Sequence, residues 1–412
     1  MAAAQHSRRN VLGLIGLSSA VGAVSLTGCG GGSIGGATSA TGASGPAGGG
    51  AIKVGLVIPQ SGVYTPLGVD MQNGWKLWLD QHGGKIGGRT VQTITGDEGD
   101  GPKTGVPAVQ GLLQRDQVDV LVGLVNSATA LGVVDQITEA KKLLVISNAG
   151  ANAITAGARN PYIWRTSFTN GQVAAAMGQH LAKQGVKGGV YVLASDYAAG
   201  KEAAAGFVDA FKAGGGTIAG QALTPFGTTQ DYQPFLSAIP ATGAGATFVF
   251  YAGSEAVSFV QQYTSFGLAR TTPLYGSGFL TEGGVLKAQG AAAVGVQTSL
   301  HYSTEVKNAA NTAFVKAYTD AFQVPPTVYA VQTYDAAAAL DKAVAKSADL
   351  SGTALSGALG QLGDITDSPR GPWKFAGQTP EQVFYLRKVQ ASGAANVNAV
   401  VSEIGTFGQQ SS

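Results

Sequence analysis

From Ala51 onward, strand-like and helix-like segments alternate, and this alternation restricts the fold more than any other feature of the sequence. Short apolar runs predict buried strands, and the segments between them have the apolar spacing of helices. Strands that alternate with helices form a parallel sheet covered by helices. The predicted strands of the first series are Ile52–Ile58, Thr90–Thr95, Asp119–Gly123 and Leu143–Ser147, and its predicted helices cover about 67–82, 102–115 and 128–141.

A second series of the same kind begins near Asn170 and predicts a second α/β lobe of similar length. Sheets of this type bind ligands at the loops that follow the carboxyl ends of their strands. After Val294 we expect another strand, two long helices and a final β segment. The second series comprises helices 170–184, 199–213, 230–238 and 254–266 with strands Gly189–Ala194, 217–223, Thr247–Tyr251 and Leu274–Gly276; the later helices cover 305–322 and 328–347, and the last β segment covers 383–390.

The amino terminus has the pattern of an export signal. A twin-arginine motif, Ser7–Arg9, precedes an apolar run that is too short and too glycine-rich for a dependable membrane span. The run ends in Leu26–Cys29, which is similar to a bacterial lipobox, where the peptide is cut before an acylated cysteine. We therefore predict a signal peptide over 1–28 and a lipid anchor at Cys29. The alternatives are an unmodified, buried cysteine and an uncleaved signal anchor.

Charge and composition exclude some partners. The chain has 26 Lys+Arg and 24 Asp+Glu, and loss of residues 1–28 removes two arginines, so the mature protein is formally neutral. No basic surplus is left to bind nucleic acid. Residues 29–51 are almost entirely Gly, Ser, Ala and Thr, which predicts a flexible linker between Cys29 and the folded lobes. We expect a monomer.

Six sequence motifs of the chain resemble those of a known family. They are similar to the extracytoplasmic solute-binding proteins of ABC importers, of the leucine/isoleucine/valine-binding type (periplasmic binding protein type 1). The resemblance implies two Rossmann-like α/β lobes with parallel sheets, three hinge crossovers and a ligand in the cleft between the lobes. The motifs that carry it are Gly55–Gly62, Gly123–Ser127, Ile146–Gly150, Trp164–Thr166, Ser195–Gly200 and Tyr329 with Tyr334–Ala336.

The same resemblance implies the domain limits and the role. The crossings would lie near Arg165–Thr169, near Ser299–Tyr302 and between about 365 and 376. Lobe 1 would comprise 52–168 and 300–370, and lobe 2 would comprise 169–299 and 371–408. The implied function is delivery of a small carboxylate to an ABC permease in the membrane, without catalysis and without a cofactor. A ligand-sensing receptor lobe is the alternative, and an exported hydrolase is a weaker one.

The family holds a ligand carboxylate with a serine hydroxyl and backbone N–H groups in the first lobe. Ser127, beside Asn126, matches the serine position, and Ala149, Gly150 and Ala151 match the second loop. Backbone N–H groups suit an anion without Lys or Arg. For Ser127 the competing interpretation is an N-cap, whose hydroxyl would satisfy its own helix.

Departures from the family indicate the ligand. Amino-acid binders hold the ammonium with a glutamate, and the alignment places Gly278 there, with Glu282 four residues on. Burying an ammonium without a carboxylate is costly. Three tyrosines of the amino-acid binders are replaced by Leu67, Ala199 and Ser254. These departures predict an apolar or aromatic acid; entry of Glu255 or Glu282 into the cleft would restore an amino acid.

Five aromatic side chains are candidates for the cleft wall, although core packing is the commoner fate of any single aromatic. Core packing is the interpretation that we favour for Tyr251 and Tyr334. The candidate wall residues are Tyr64, Phe168, Tyr197, Phe279 and Tyr329.

Other chemistries find little support in the residues. The predicted lobes contain no Gly-x-Ser-x-Gly elbow, and the chain has no H-E-x-x-H pair and no Cys/His cluster, so neither an α/β-hydrolase nor a metal site is indicated. His301, at a predicted crossing, is the one histidine that would merit a test of the hydrolase alternative. Asp97, Glu98 and Asp100 follow a strand, and we interpret them as a solvated loop rather than a cation site.

Overall fold

The run Ile52–Ile58 forms the central strand of the first sheet because nearly all of its side chains are apolar and buried. The computed structural model describes residues 50–156, 159–393 and 395–409; the predicted signal peptide, Cys29 and the linker up to residue 49 lie outside this part. The strand pairs in parallel on both sides, in the order β2-β3-β1-β4-β5-β6. The strands are β1 (Ile52–Ile58), β2 (Lys85–Ile86), β3 (Arg89–Asp97), β4 (Val120–Gly123), β5 (Leu143–Ile146) and β6 (Ile163–Arg165).

Helices connect these strands as the alternation predicts, with one departure. The single helix predicted over 128–141 is two helices. The backbone leaves the helical repeat at Val133, which is the C-cap of the first helix and the N-cap of the second. Beyond β5 a 3₁₀ turn covers Asn152–Ile154. The helices are α1 (Thr65–Gln81), α2 (Pro102–Gln114), α3 (Ser127–Gly132) and α4 (Val134–Ala140).

The second sheet contains nine strands and is mixed rather than purely parallel. Its first five strands in the chain pair in parallel, the first four as predicted, whereas the last four pair antiparallel with one another or with the fifth strand, Gln297–Leu300. The order is β12-β13-β14-β11-β10-β9-β7-β8, with β15 paired to β14. The strands are β7 (Val190–Asp196), β8 (Ile218–Pro225), β9 (Ala246–Phe250), β10 (Leu274–Ser277), β11 (Gln297–Leu300), β12 (Asp364–Ile365), β13 (Trp373–Ala376), β14 (Thr379–Ser392) and β15 (Ala395–Phe407).

The helices of the second series cover that sheet. The helix predicted over 230–238 is two single turns, each with a proline, which cannot continue a helical hydrogen-bond ladder. Three 3₁₀ turns cover Leu268–Arg270, Gly278–Thr281 and Gly290–Ala293. The helices are α5 (Asn170–Gln184), α6 (Ala198–Ala213), α7 (Gln233–Leu236), α8 (Ala238–Ala241), α9 (Gly253–Ser265) and α10 (Gly284–Gln289).

Three further helices return to the first sheet: α11 (Ala309–Phe322), α12 (Val328–Lys346) and α13 (Gly352–Leu359). Helix α12 packs on α1, and Gly74 permits this, because a Cβ at that position would lie 2.1 Å from the carbonyl oxygen of Ala330. No helix of the described ranges is both long enough and apolar enough to cross a membrane.

The chain passes between the two sheets three times. The first passage lies between β6 and α5 and the second follows β11, where the crossings near Arg165–Thr169 and Ser299–Tyr302 are predicted. The third passage ends at β12, which begins at Asp364, one residue before the predicted range of about 365–376. The fold is therefore the predicted pair of α/β lobes joined by three crossovers; the residue limits of the lobes remain a prediction.

Asp70 on α1 joins this helix to the start of α12. Its carboxylate accepts a hydrogen bond of 2.8 Å from the hydroxyl of Thr327, the residue that caps α12. Burial raises the pKa of Asp70 to about 7, although the Thr327 hydrogen bond opposes this shift. The folded protein therefore binds this proton more tightly than the unfolded chain does.

We expect Asp70 to make folding less favourable as pH rises from about 4 to about 7, because the unfolded chain ionises first. Replacement Asp70→Asn should leave unfolding unchanged near pH 4 and raise the free energy of unfolding by about 2–4 kcal/mol at pH 8. Urea titrations of both proteins across this range measure the difference. A constant difference at all pH values would contradict the assignment.

Candidate functional site

A small cavity lies between the two lobes. Most of its walls come from loops that follow the carboxyl ends of β1, β4, β5 and β6 in the first sheet and β7, β9 and β10 in the second. The lining residues are Tyr64, Leu67, Val125, Ser127, Asn148, Gly150, Phe168, Asn170, Tyr197, Ala199, Phe250, Ala252, Phe279 and Tyr329.

Nine of the fourteen residues predicted to bind the ligand line this cavity, and their role in binding remains a prediction. They come from both lobes, so the structure brings together residues that are up to 265 positions apart in the chain. These nine are Tyr64, Leu67, Ser127, Gly150, Phe168, Tyr197, Ala199, Phe279 and Tyr329.

Asn126 does not line the cavity because its side chain caps α3. Its side-chain oxygen accepts hydrogen bonds from the backbone N–H groups of Ala128 (2.8 Å) and Thr129 (3.2 Å). The N-cap interpretation of Ser127 is therefore wrong: Asn126 is the cap and Ser127 is the first residue of the helix. The hydroxyl of Ser127 is left to face the cavity.

The other four predicted residues also lie off the cavity wall. Ala149 and Ala151 direct their carbonyl oxygens at the buried guanidinium of Arg165. Ser254 is exposed near the start of α9. Gly278 faces away: a Cβ there would lie 2.5 Å from Leu300 and 2.7 Å from the Arg387 guanidinium. A glutamate at Gly278 would therefore not fit this packing.

Five lining residues escaped the sequence interpretation, although each lies within two positions of a predicted site residue or directly at a strand end. The signal that could have found them is the rule that cleft residues follow the carboxyl ends of strands. They are Val125, Asn148, Asn170, Phe250 and Ala252.

Two residues with positive φ angles at the end of β4 determine the path of the loop that carries Ser127. Gly123 has φ +133°, and a Cβ there would lie 2.0 Å from the carbonyl oxygen of Val57, so only glycine fits. Leu124 follows with φ +67°, which is rare for a residue with a side chain and stores strain. These two residues turn the chain out of the sheet toward the cavity.

Glu98 holds the same loop from behind. Its carboxylate oxygens accept hydrogen bonds from the backbone N–H groups of Val125 (2.7 Å) and Asn126 (2.8 Å), and the side chain is fully buried. The interpretation of Glu98 as part of a solvated loop is therefore wrong. Burial raises the pKa of Glu98 to about 8 against the effect of these two donors.

Asn170, at the start of α5, joins the two loops of the first lobe. Its amide nitrogen donates to the Ser127 hydroxyl (3.3 Å) and to the carboxylate of Glu202 (2.8 Å), which also accepts from the N–H of Asn152 (2.9 Å). Within the described residues, the backbone N–H groups of Ser127 and Gly150 have no acceptor. The Ser127 hydroxyl proton and these N–H groups are therefore available to a ligand anion.

Aromatic rings form the remaining walls. Phe168 lies 4.7 Å from Phe279 between ring centroids, and Phe279 lies 6.1 Å from Tyr329 at an interplanar angle of 29°. The hydroxyl of Tyr64, in the first lobe, donates to that of Tyr197 in the second at 3.0 Å. The two lobes therefore meet around the cavity through rings. Tyr251, by contrast, packs in the core of the second lobe, as predicted.

Charged side chains surround the cavity without lining it, and none of the fourteen lining residues is acidic or basic. Glu255 accepts from the Ser195 hydroxyl and from the N–H of Gly227. Glu282 accepts 2.8 Å bonds from the Arg387 guanidinium and from the N–H of Val328. Both carboxylates that could have held an ammonium are thus engaged elsewhere.

His301 has no partner suited to catalysis. It is buried between Phe168 and Phe384, and its hydrogen-bond partner in the described ranges is the side-chain amide of Gln332. Burial and the positive charges of Arg370 and Arg387 lower its pKa well below the usual range. In the part of the chain that the structure describes, no group of three or more His, Cys, Asp or Glu side chains could hold a metal ion.

The fold and the cavity define a class: a two-lobed α/β protein that takes a small ligand between its lobes. Residues 51–394 match the periplasmic binding protein family, and the chain belongs to it. More closely, it is of the leucine/isoleucine/valine-binding type among the extracytoplasmic solute-binding proteins of ABC transporters. It is 30% identical to Leu/Ile/Val-binding protein homolog 6 of Brucella melitensis over 269 residues, 64% of this chain and 68% of that protein.

Solved structures show the same likeness over most of the chain. An ABC transporter solute-binding protein from R. palustris in complex with benzoate is 36% identical, with a TM-score of 0.80, over 86% of this chain and 97% of that one. Another, from Rhodopseudomonas palustris BisB5 in complex with 3,4-dihydroxybenzoic acid, is 32% identical, with a TM-score of 0.80, over 87% and 98%. The leucine-binding protein of Thermotoga maritima, at 18% identity, TM-score 0.75 and coverage of 85% and 99%, shows the fold alone.

The Glu282–Arg387 pair should be one of the most sensitive points near the cavity. Both side chains are buried, and Glu282→Gln removes the charge that the guanidinium needs. We expect the free energy of unfolding to fall by about 2–4 kcal/mol. Asp320→Asn, which breaks the exposed Lys316–Asp320 pair, is the control and should change it by less than about 0.5 kcal/mol. Equal, small effects of both replacements in urea unfolding would contradict this reasoning.

Proposed function

We propose that this protein is a lipid-anchored solute-binding protein that takes an aromatic or otherwise apolar monocarboxylic acid and delivers it to an ABC permease. The observation that carries the proposal is the combination within one cavity of free anion donors, aromatic walls and no charged lining side chain. A cavity with free N–H and O–H donors and no charged lining side chain can bind one anion. It gives a cation no partner.

The carboxylate is proposed to lie against the first lobe. There the Ser127 hydroxyl and the N–H groups of Ser127 and Gly150 have free protons among the described contacts. Each charge-assisted hydrogen bond contributes roughly 1.5–3 kcal/mol, so two or three such bonds suffice to hold a small anion. The carboxylate of Glu202 is kept from this position by the amide of Asn170, which lies between it and Ser127.

The body of the ligand is proposed to be apolar because the rest of the cavity is. Phe168, Phe279 and Tyr329 offer ring faces and edges at distances usual for aromatic pairs. Leu67 and Ala199 leave room where bulkier side chains would not. An α-ammonium in this space would meet neither Glu255 nor Glu282, since both are bonded to other groups.

The solved relatives support the same ligand class. Those with benzoate and 3,4-dihydroxybenzoic acid share 36% and 32% of their residues with this chain, and a third from R. palustris, at 29% identity, holds 4-hydroxybenzoate. The Brucella relative is named for leucine, isoleucine and valine. Branched-chain amino acids are therefore the competing ligands that a test must include.

Anchoring to the membrane is part of the proposal and is supported by the sequence. Cys29 stands at the end of an export signal and before a linker without charge, outside the described residues. A linker of about 20 residues spans roughly 25 Å on average, which lets the lobes reach a permease in the same membrane.

Thermal denaturation of residues 51–412 with candidate ligands tests the ligand class. A ligand present at 100 times its dissociation constant should raise stability by about 2.7 kcal/mol and the melting temperature by several degrees. We expect benzoate-type acids to give this shift and leucine to give none. A shift with leucine alone would overturn the ligand class while keeping the family.

Replacement Ser127→Ala should weaken binding of the best acid by about 5–30-fold in titration calorimetry, because one charge-assisted hydrogen bond is lost. The control is Ser254→Ala, a replacement of the same kind at an exposed position off the cavity wall, which should leave the affinity unchanged. Equal affinities of the two variants would show that the carboxylate lies elsewhere.

A further inference from the structure

Among the described residues of the cavity wall, the hydroxyl of Tyr329 is the side-chain polar group that lacks a hydrogen-bond partner. Tyr329 is the second residue of α12 and is 1% exposed. Among the described lining residues, its hydroxyl alone is both buried and without a hydrogen bond. Buried polar groups in folded proteins nearly always have partners, so an unpartnered one in a ligand cavity indicates a polar atom on the ligand.

This hydroxyl belongs to the aromatic part of the cavity wall rather than to the loops that carry the anion donors. A Cβ at Gly150 would touch the ring of Phe168 at 2.5 Å, so Phe168 stands beside the second loop. Phe279 packs on Phe168, and Tyr329 follows Phe279. Ring contacts therefore lead from Gly150 through Phe168 and Phe279 to Tyr329, and we take a ligand held at Gly150 to extend along them.

The electrostatic surroundings of Tyr329 restrict what that polar atom can be. Burial raises the pKa of Tyr329, and among the nearby charges those of Glu282 and Asp70 raise it further. The positive charge of Arg387 is already paired with Glu282. A neutral group is therefore acceptable there, whereas a second carboxylate would meet carboxyl groups and no free cation.

We propose that Tyr329 is a specificity-determining residue that forms a hydrogen bond with a hydroxyl on the ligand ring, opposite the carboxylate. The preferred ligands are then 4-hydroxylated aromatic monocarboxylates, over the unsubstituted acids and over aromatic 1,4-dicarboxylates. This inference rests on the proposed function, since it takes the carboxylate to lie at Ser127 and Gly150.

Titration calorimetry with benzoate, 4-hydroxybenzoate and terephthalate on the wild type and on Tyr329→Phe tests the inference. The wild type should bind 4-hydroxybenzoate about tenfold more tightly than benzoate and terephthalate at least tenfold more weakly than benzoate. In Tyr329→Phe the two monocarboxylates should bind within about twofold of each other.

Tyr232→Phe is the matched control. The Tyr232 hydroxyl is also buried and unpartnered in the described ranges, but it lies in the core of the second lobe and not in the cavity. This variant should keep the wild-type preference. A tenfold preference that survives in Tyr329→Phe, or equal wild-type binding of benzoate and 4-hydroxybenzoate, would overturn the inference while leaving the proposed function intact. Failure of all three acids to bind would overturn the proposed function itself.

Discussion

The buried guanidinium of Arg387 is the interaction on which the geometry of the cavity depends. It donates to the carbonyl oxygens of Gly278 and Tyr302 and to the carboxylate of Glu282. Gly278 precedes a ring of the cavity wall, Tyr302 follows a crossover between the lobes, and Glu282 accepts from the first N–H of α12. One side chain on β14 thus fixes the wall, the crossover and, through Glu282, the helix that carries Tyr329.

This network also explains how a cavity without charged lining can exist beside several buried carboxylates. Each of these acids accepts hydrogen bonds from groups of the protein: Glu98 from two loop N–H groups, Glu255 from Ser195 and Gly227, and Glu282 from Arg387. Burial raises the pKa of Glu98, and its two N–H donors oppose that rise. Because these acids are bonded to the protein, the free N–H and O–H donors of the first lobe are the polar groups that a ligand carboxylate would contact.

The sequence was sufficient to predict the βα alternation because buried parallel strands are short apolar runs, and these are visible one segment at a time. Strands β2, β6, β12, β13 and β15 were not predicted. The first four contain only two to four residues each, and β15 is half exposed and carries polar residues, so its apolar content does not set it apart. The prediction of cavity residues succeeded best at aromatic positions after strands and failed at Gly278, where the alignment could not show that Leu300 and Arg387 occupy the space.

The roles of Glu98 and Asn170 could not be predicted, because they depend on pairings over long stretches of chain. Glu98 accepts hydrogen bonds from residues 27 and 28 positions away, and Asn170 donates one to Ser127, which is 43 positions away. A local pattern shows an acidic loop or a helix start at these places and nothing more. Only the parallel pairing of β3, β1 and β4 brings Glu98 behind the Ser127 loop.

The contacts between the lobes suggest why a ring-shaped ligand suits closure. Across the cleft, Tyr64 meets Tyr197 and Phe226, and Phe168 meets Phe279. Ligand stabilises a closed form only through contacts that the open form lacks. A planar acid bonded at Ser127 through its carboxylate would add one more ring between rings of both lobes, so most of the apolar surface that it buries would be buried only on closure. The same contacts would then stabilise both the bound ligand and the closed form. The proposed permease could distinguish the loaded from the empty protein by shape alone.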